Sequence, residues 1–250
     1  MINRSKIENE FKRIKSLGFV TSHRTSDTGI GKTFEDHLGV NENNVKNPDF
    51  DGFEVKTQRQ ITSSKITLFT KSPSNPSNAN AVLKESFGTP DKTFPDIKVL
   101  HTSCFGDRFN NHKSGFGFKL FVNKRLNRVY FTAKDLSSNK VIDTNIYWTF
   151  DDLNECITKK LKALFVVFAN SRKIKSMEEF HFTKAIVYYN LKFEKFISNL
   201  NAGHIQFDVR IGAYKTLGRA NYGKPHDHGS GFRVGRNDIA NLFEQKFDIE

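Results

Sequence analysis

The sequence predicts a mixed α/β fold with mostly antiparallel strands around a cleft. Two patterns carry this prediction: segments with apolar residues at helical spacing are interspersed with segments rich in Phe, Val, Ile and Thr that alternate as in a strand. The chain of 250 residues contains 25 Phe and is 37% hydrophobic, which is enough to fill a substantial core. We therefore expect an ordinary globular protein with one large domain or two lobes.

The first predicted element is an amphipathic helix over residues 3 to 17. Ile7 and Phe11 belong to a series of apolar residues at helical spacing, and Gly18 follows as a C-terminal cap. A polar turn then leads to a second, short helix that carries Glu35.

Strands follow these helices. The segments FDGFEVKTQR and KITLFTK predict two strands, which the intervening QITSS turn would pair as a hairpin. Residues 71 to 96 hold four of the six prolines and many Ser and Asn, which indicates a long loop or a boundary between lobes. We expect one lobe over residues 1–95 and another over 96–250, with part of 150–200 packing back on the first.

The remaining elements continue the mixed pattern. FGFKLFVN and RVYFTAK predict a hairpin, VIDTNIYWTF another strand, and DDLNECITKKLKALF a helix with acids at its start and lysines further on. LKFEKFISNLNAG predicts a helix that ends at Gly203, HIQFDVRIGAY an alternating strand, and NDIANLFEQKF a closing helix.

The charge indicates a polyanionic partner. The formal net charge is +12, which favours nucleic acid over a small neutral substrate. No apolar run approaches the ~20 residues of a spanning helix. The N-terminal segment lacks the apolar core of a secretory signal, and Cys104 and Cys156 have no zinc or redox spacing. We therefore expect free thiols and a location in the reducing cytoplasm.

The stretch TGIGKTFED contains GIGKT, which suggests a phosphate-binding P-loop. A P-loop needs a glycine five residues before Gly31, and that position is Ser26. The loop should also leave a buried strand, whereas the preceding SHRTSD is polar. The stretch is instead a glycine turn that opens the helix carrying Glu35.

The segment PDFDGFEVK carries the most chemistry in the sequence. Because a strand has a period of two, Glu54 and Lys56 lie on the same face, and Asp49 can curl its carboxylate toward Glu54. Two converging carboxylates repel unless a cation lies between them, and Mg²⁺ with oxygen ligands fits that need. Lys56 would then orient the metal-activated water and stabilise a pentavalent phosphate.

The alternative is a purely structural one. Glu54 and Lys56 would form an exposed ion pair, and Asp49 or Asp51 would only shape a turn. The flanking residues Phe50, Phe53 and Val55 weaken this alternative, because they place the motif on a half-buried strand.

An acid followed by Glu-x-Lys on a strand edge resembles the active site of the PD-(D/E)xK nuclease superfamily. Seven stretches, including this motif and in the same order, resemble the MvaI/BcnI family of restriction endonucleases in the MutH-like branch of that superfamily. These stretches are TGIGKTFED, PDF through EVKT, TLFTKSPSNP, YWTFDDL, KKLK, DVRIGAY and HDHG followed by FR. The resemblance spans nearly the whole chain.

The resemblance implies a restriction-endonuclease-like core sheet flanked by helices, with two lobes around a DNA-binding cleft. It implies a catalytic set of Glu35, Asp49, Glu54 and Lys56, in which Asp49 and Glu54 hold Mg²⁺ and Glu35 joins the metal site from its helix. Residues 1–95 would form the catalytic lobe and 96–250 the DNA-recognition lobe.

The C-terminal segment is rich in basic residues. His226 and His228 could be metal ligands, but HxH without a third ligand at a recognisable spacing is a weak signal. Base readout suits the segment better, because Arg binds guanine O6 and N7 in a bidentate manner. The alternative is that the basic residues only neutralise phosphates.

The resemblance implies that part of this segment reads the outer G·C pairs. The residues that we assign to DNA binding are Arg210, Tyr214, His226, Asp227, His228 and Arg233. Lys71, beside the SPSNPSN loop, would contact the DNA backbone or a groove, or would belong to an ordinary solvated turn.

The implied activity is that of a type II restriction endonuclease on double-stranded DNA. It would act as a monomer that nicks the two strands of a short pseudosymmetric CC-x-GG type sequence in turn. A cognate DNA methyltransferase would belong to the same system without being a physical partner. Two alternatives stay open: a MutH-like mismatch-repair nickase, and a sequence-specific DNA-binding protein without catalysis.

Overall fold

The computed structural model describes residues 3–40 and 48–249. Its α-helices are α1 (Arg4–Ser16), α2 (Gly29–His37), α3 (Ala79–Phe87), α4 (Phe150–Lys160) and α5 (Phe193–Asn201). Its strands are β1 (Val20–Thr21), β2 (Glu54–Arg59), β3 (Ile66–Thr70), β4 (Thr89–Pro90), β5 (Lys98–Phe105), β6 (Asn110–Asn111), β7 (Phe116–Asn123), β8 (Arg128–Asp135), β9 (Val141–Thr149), β10 (Ala163–Ile174), β11 (Met177–Leu191), β12 (Ile205–Ala213), β13 (Pro225–Asp227), β14 (Gly231–Val234) and β15 (Phe243–Ile249). A 3-10 helix, Ile239–Leu242, precedes β15.

The chain forms two compact units, and each is assembled from separate stretches. Unit 1 comprises Met1–Ile66, Ile157–Lys192 and Arg236–Glu250, and unit 2 comprises Thr67–Cys156 and Phe193–Gly235. The expected lobes 1–95 and 96–250 divide the chain differently, because a local change in composition does not show where later segments return.

Unit 1 is built on a sheet with the strand order β1-β11-β10-β2, in which β15 also pairs with β11. Strand β10 begins with the apolar run ALFVVFA, whose seven residues are all buried. Such a run is typical of a central strand with both faces covered. It pairs in parallel with β2, so that Leu164 lies opposite Glu54 and Val166 opposite Lys56.

Helix α1 packs its apolar side into the core of unit 1. The side chain of Asn3 accepts a hydrogen bond from the Lys6 backbone N–H and caps the helix start. Ile7 and Phe11 are buried, and Gly18 follows the helix with a φ of +69°. This element and α2 confirm the two helices expected from the sequence.

Unit 2 is built on a larger sheet with the strand order β3-β14-β12-β5-β7-β8-β9. The short strands β13, β4 and β6 pair with β12, β5 and β7 respectively. The expected β7–β8 hairpin, the strands β9 and β12 and the helix α5 are all confirmed.

Three local predictions are wrong. Strands β2 and β3 do not form a hairpin, because β2 pairs with β10 and β3 lies beside β14. The expected loop over residues 71 to 96 contains α3, whose Leu83 and Phe87 are buried. The expected closing helix is instead the 3-10 turn and β15, because the edge of β11 offers unpaired backbone groups to a strand.

The helix over DDLNECITKKLKALF is shorter than expected, since α4 ends at Lys160 and β10 begins at Ala163. The long β10–β11 hairpin was not predicted from the sequence, although the apolar run ALFVVFA in β10 is typical of a buried strand. Among the described residues, no helix is long and apolar enough to cross a membrane.

Candidate functional site

A tight turn brings Asp49 back onto the strand that carries Glu54. Phe50 and Phe53 exchange two backbone hydrogen bonds, and the two residues between them, Asp51 and Gly52, have φ values of 47° and 88°. Asp-Gly with two positive φ angles is the preferred sequence for such a two-residue turn. Asp51 therefore shapes the turn, and Asp49 Oδ2 accepts a hydrogen bond of 2.8 Å from the Val55 backbone N–H.

The acids and Lys56 meet at the start of β2. Lys56 Nζ donates a hydrogen bond of 2.6 Å to Glu54 Oε1 and lies 4.0 Å from Asp49 Oδ2. The Glu54 side chain is only 5% exposed, so its pairing with Lys56 is not the exposed ion pair of the structural alternative. A second lysine approaches the same oxygen, since Lys160 Nζ lies 3.9 Å from Glu54 Oε1.

The second oxygen of Glu54 indicates where a cation would bind. Glu54 Oε2 is buried and has no hydrogen-bond partner in the described part of the chain. A buried carboxylate oxygen without a partner is costly, and a bound divalent cation would satisfy it. No group of three or more His, Cys, Asp or Glu arranged to hold a metal occurs within residues 3–40 and 48–249. A Mg²⁺ ion usually keeps several waters and binds only one or two carboxylates of the protein.

Glu35 lies on α2, which packs against β2. A Cβ atom added at Gly31 would lie 3.9 Å from Glu35 Oε1 and 3.5 Å from Thr57 Oγ1. The glycine of the GIGKT stretch thus leaves space at a position that both side chains border. The structure places Glu35 beside β2 at the level of Thr57, the residue after Lys56.

Three ring side chains of unit 2 lie in a row beside β12, in which Tyr214 stacks on His226 and the His228 ring is tilted by 59° to that of His226. The Tyr214 and His226 rings lie 4.5 Å apart with an interplanar angle of 15°, and the His226 and His228 rings are also 4.5 Å apart. Gly212 on β12 leaves room for the His228 ring, because a Cβ atom at this position would clash with the ring in its present orientation. The side chain of Tyr214 remains exposed.

Asp227 is held from both sides. Its Oδ1 accepts a hydrogen bond of 2.6 Å from the Ser230 backbone N–H, and its Oδ2 accepts one of 3.0 Å from Asn80 Nδ2 on α3. A carboxylate has about four lone-pair sites, so these two contacts leave capacity for another donor. Asn80 therefore fixes the middle residue of the HDH sequence.

The two arginines assigned to DNA binding share one acid. Asp208 Oδ2 lies 3.0 Å from Arg233 Nε, an ion pair without hydrogen-bond geometry, and 3.7 Å from Arg210 Nη2. Burial, followed by the nearby charge of Arg210, lowers the pKa of Arg233. Arg210 is more exposed, and its backbone N–H donates to Ser230 Oγ.

Lys71 forms a hydrogen-bonded ion pair with an acid of unit 2. Its Nζ donates a hydrogen bond of 2.8 Å to Asp152 Oδ1. Hydrogen bonds from Lys71, Ser74 and Thr149 lower the pKa of Asp152 to about 2. The Lys71 ammonium stays partly exposed within this pair.

Comparison with known proteins decides the family. A model of the MvaI/BcnI restriction endonuclease family matches residues 8–243. The chain belongs to this family. Among solved structures, the MvaI restriction endonuclease in complex with its cognate DNA substrate is 32% identical, with a TM-score of 0.89 and 98% of each chain covered.

A second structure in the comparison, MvaI in the absence of DNA, is also 32% identical. Its TM-score is 0.65, and the match covers 98% of this chain and 97% of that one. No curated protein sequence matches the chain.

Membership of the MvaI/BcnI family makes this protein a type II restriction endonuclease, that is, a site-specific deoxyribonuclease. It confirms the expected mixed α/β fold with large sheets flanked by helices. It also sets aside the alternative of a DNA-binding protein without catalysis. Restriction endonucleases generally use a divalent metal ion, which agrees with the unpartnered Glu54 oxygen.

Sequence reasoning missed three residues beside these candidates. Lys160, Asn80 and Asp208 each contact a candidate residue that is distant in the sequence. Lys160 lies in the KKLK stretch, which contributed to the family resemblance but suggested no role. Asp208 precedes Arg210 by two residues, an acid-x-base spacing that could have drawn attention to it.

Proposed function

We propose that this endonuclease hydrolyses phosphodiester bonds in double-stranded DNA at a short pseudosymmetric CC-x-GG type sequence, with Mg²⁺ held by Asp49 and Glu54. The observation that carries the proposal is that Lys56 lies against both Asp49 and Glu54 Oε1, while the other oxygen of Glu54 is buried and has no partner among the described residues. The cytoplasm would be its place of action.

When bound, Mg²⁺ would supply an acidified water and neutralise charge on the phosphate. The chain's own residues do the positioning. The backbone N–H of Val55 donates a hydrogen bond to Asp49 and thereby fixes this carboxylate. Strand β10 pairs with β2, the strand that carries the Glu54 carboxylate. Lys56 orients the attacking water and stabilises the negative charge that develops on the phosphate. Glu35 supports the metal site from α2.

Sequence recognition belongs to unit 2 in this proposal, and catalysis to unit 1. Arg210 and Arg233 bind guanine edges, because two guanidinium groups lie on neighbouring strands around one acid. The neighbouring rings of Tyr214, His226 and His228 add contacts to the outer G·C pairs, and Asp227 shapes the loop that carries them. Lys71, which is paired with Asp152, contacts the DNA backbone in this proposal.

The segment PDFDGFEVK would supply one catalytic site per chain, so we propose a monomer that cuts one strand, rebinds in the opposite orientation and cuts the other. A cognate methyltransferase would protect the host sequence without binding the nuclease. Enzyme titration of a supercoiled plasmid tests this part, because a monomer gives a nicked intermediate and a rate that is first order in enzyme.

The test of the activity is a digest of unmethylated plasmid with the purified protein, in Mg²⁺ and in EDTA, followed by sequencing of the ends. Discrete ends at one G·C-flanked sequence in Mg²⁺ alone support the proposal and reveal the central base pair. Random nicking, or the same ends in EDTA, contradicts it.

A further inference from the structure

Strand β12 presents a line of polar side chains that runs from the interior of unit 2 to its surface. Gln206, Asp208 and Arg210 alternate with apolar residues, so all three lie on the same face of the strand. Gln206 is buried, Asp208 is 15% exposed and Arg210 is 47% exposed. The acid therefore lies between a buried amide and an exposed guanidinium.

The two oxygens of Asp208 have different partners. Oδ1 accepts hydrogen bonds from Ser103 Oγ, at 2.6 Å, and from Gln206 Nε2. Oδ2 faces the two guanidinium groups of Arg233 and Arg210. The neutral donors thus fix the carboxylate from behind, and its second oxygen is directed at the cations.

Arg233 depends on this acid because it is poorly solvated. Its side chain is 12% exposed, and its Nη2 donates a hydrogen bond of 3.2 Å to the Gly229 carbonyl. A second cation, Arg210, lies on the same carboxylate oxygen, and like charges in a partly buried site repel each other. The charge of Asp208 allows both guanidinium groups to lie side by side.

The same strand ties Arg210 to the HDH loop. The backbone N–H of Arg210 donates to Ser230 Oγ, and its carbonyl accepts from the His228 backbone N–H. The backbone of Arg210 is therefore bound on both sides to the loop that carries His228 and Ser230. A bidentate contact to guanine depends on the plane of each guanidinium, so fixed geometry matters more here than charge alone.

We propose that Asp208 is a specificity-positioning residue, which holds Arg210 and Arg233 in the orientation that binds guanine edges without itself contacting DNA. This inference rests on the proposed base reading by the two arginines. A purely structural role, in which Asp208 only joins β12 to β14, is the competing interpretation.

The experiment compares the wild-type protein with Asp208→Asn, which keeps the shape of the side chain and removes its charge. The substrates are duplexes with the target sequence found by end sequencing, and duplexes with one outer G·C pair changed. We expect the ratio of cognate to altered cleavage, as kcat/KM, to fall roughly 10-fold to 100-fold, the discrimination of one bidentate pair. Binding to random DNA should stay equal or strengthen, because a negative charge is lost.

Asp91→Asn is the matched control. Asp91 also lies in unit 2, pairs with Lys215 at 2.8 Å and undergoes the same change of charge. It should leave the specificity ratio unchanged. Asp208→Glu retains the charge and should restore part of the ratio, which a purely structural contact at one fixed distance would not do.

Thermal unfolding separates stability from specificity. If Asp208→Asn does not fold, Ser103→Ala replaces it, since this variant removes one hydrogen bond to Oδ1 and keeps all charges. A ratio several-fold lower in Ser103→Ala then supports the proposal, and an unchanged ratio overturns it.

Arg233→Ala shows which inference fails. An unchanged ratio in a folded Asp208→Asn protein, together with a lowered ratio in Arg233→Ala, overturns the role of Asp208 alone. An unchanged ratio in Arg233→Ala as well overturns the base reading on which that role rests.

Discussion

Strands β2 and β12 each carry an acid followed two residues later by a base, yet the two acids have different surroundings. Glu54 has one oxygen on Lys56 and a buried second oxygen without a partner among the described residues. Asp208 has partners at both oxygens, from Ser103 on one side and the arginines on the other. A carboxylate with one oxygen that lacks a partner in the protein can bind an external cation. A carboxylate with partners at both oxygens instead orients the groups that it contacts.

The origin of the partners also differs between the two regions. Asp49, Glu54 and Lys56 come from one short segment, which the Asp-Gly turn folds back on itself. The partners of Asp208 come from β5, β12 and β14, which are distant along the chain. The catalytic region is therefore formed by residues that are close in the sequence. The region around Asp208 is formed by strands that only the tertiary structure brings together.

The largest expected effect is at Glu54. Glu54→Gln removes the proposed metal ligand, so Mg²⁺-dependent cleavage of plasmid should fall by at least about 100-fold to 1000-fold. Binding of cognate duplex, measured by fluorescence anisotropy, should persist because the variant leaves unit 2 intact.

Asp51→Asn is the control for this variant. It changes a neighbouring acid in the turn, where Asn also tolerates a positive φ, and it should retain cleavage. Wild-type cleavage by Glu54→Gln would show that the active site lies elsewhere.

An intermediate effect is expected at Arg233. Arg233→Ala should weaken binding to the cognate duplex by about 1–3 kcal/mol and weaken binding to random DNA much less, because a guanine contact is lost. Competition anisotropy on the two duplexes measures both affinities.

Arg236→Ala provides the comparison for Arg233, since Arg236 belongs to unit 1 and packs 4.0 Å over the Phe168 ring. Its cognate binding should stay close to that of the wild type. Equal losses on cognate and random DNA in Arg233→Ala would reduce Arg233 to a phosphate contact.

The smallest effect is expected at Lys160. Lys160→Met removes a cation 3.9 Å from Glu54 Oε1, and the cleavage rate should fall about 10-fold, or roughly 1.4 kcal/mol of barrier, with little change in DNA binding. Single-turnover cleavage of a labelled duplex measures this step.

Lys159→Met, in the same KKLK stretch but on the exposed side of α4, should cleave at the wild-type rate. Equal losses in the two variants would mean that the stretch contributes general positive charge and that Lys160 has no particular role beside Glu54.

The sequence by itself determined what depends on near neighbours. The period of a strand placed Glu54 and Lys56 on one face, the Asp-Gly turn returned Asp49 to them, and helical spacing defined α1. These features follow from backbone geometry over a few residues, so they can be read without knowing the rest of the fold.

Only the tertiary structure decided which distant segments meet. It paired β2 with β10 instead of β3 and brought Lys160 close to Glu54. It also placed Asn80, which is 147 positions away in the sequence, within hydrogen-bonding distance of Asp227. Many strands could satisfy the backbone of β2 equally well, and the choice among them depends on packing both faces of the apolar run in β10. No single stretch of sequence displays that packing, because the segments that take part in it are far apart along the chain.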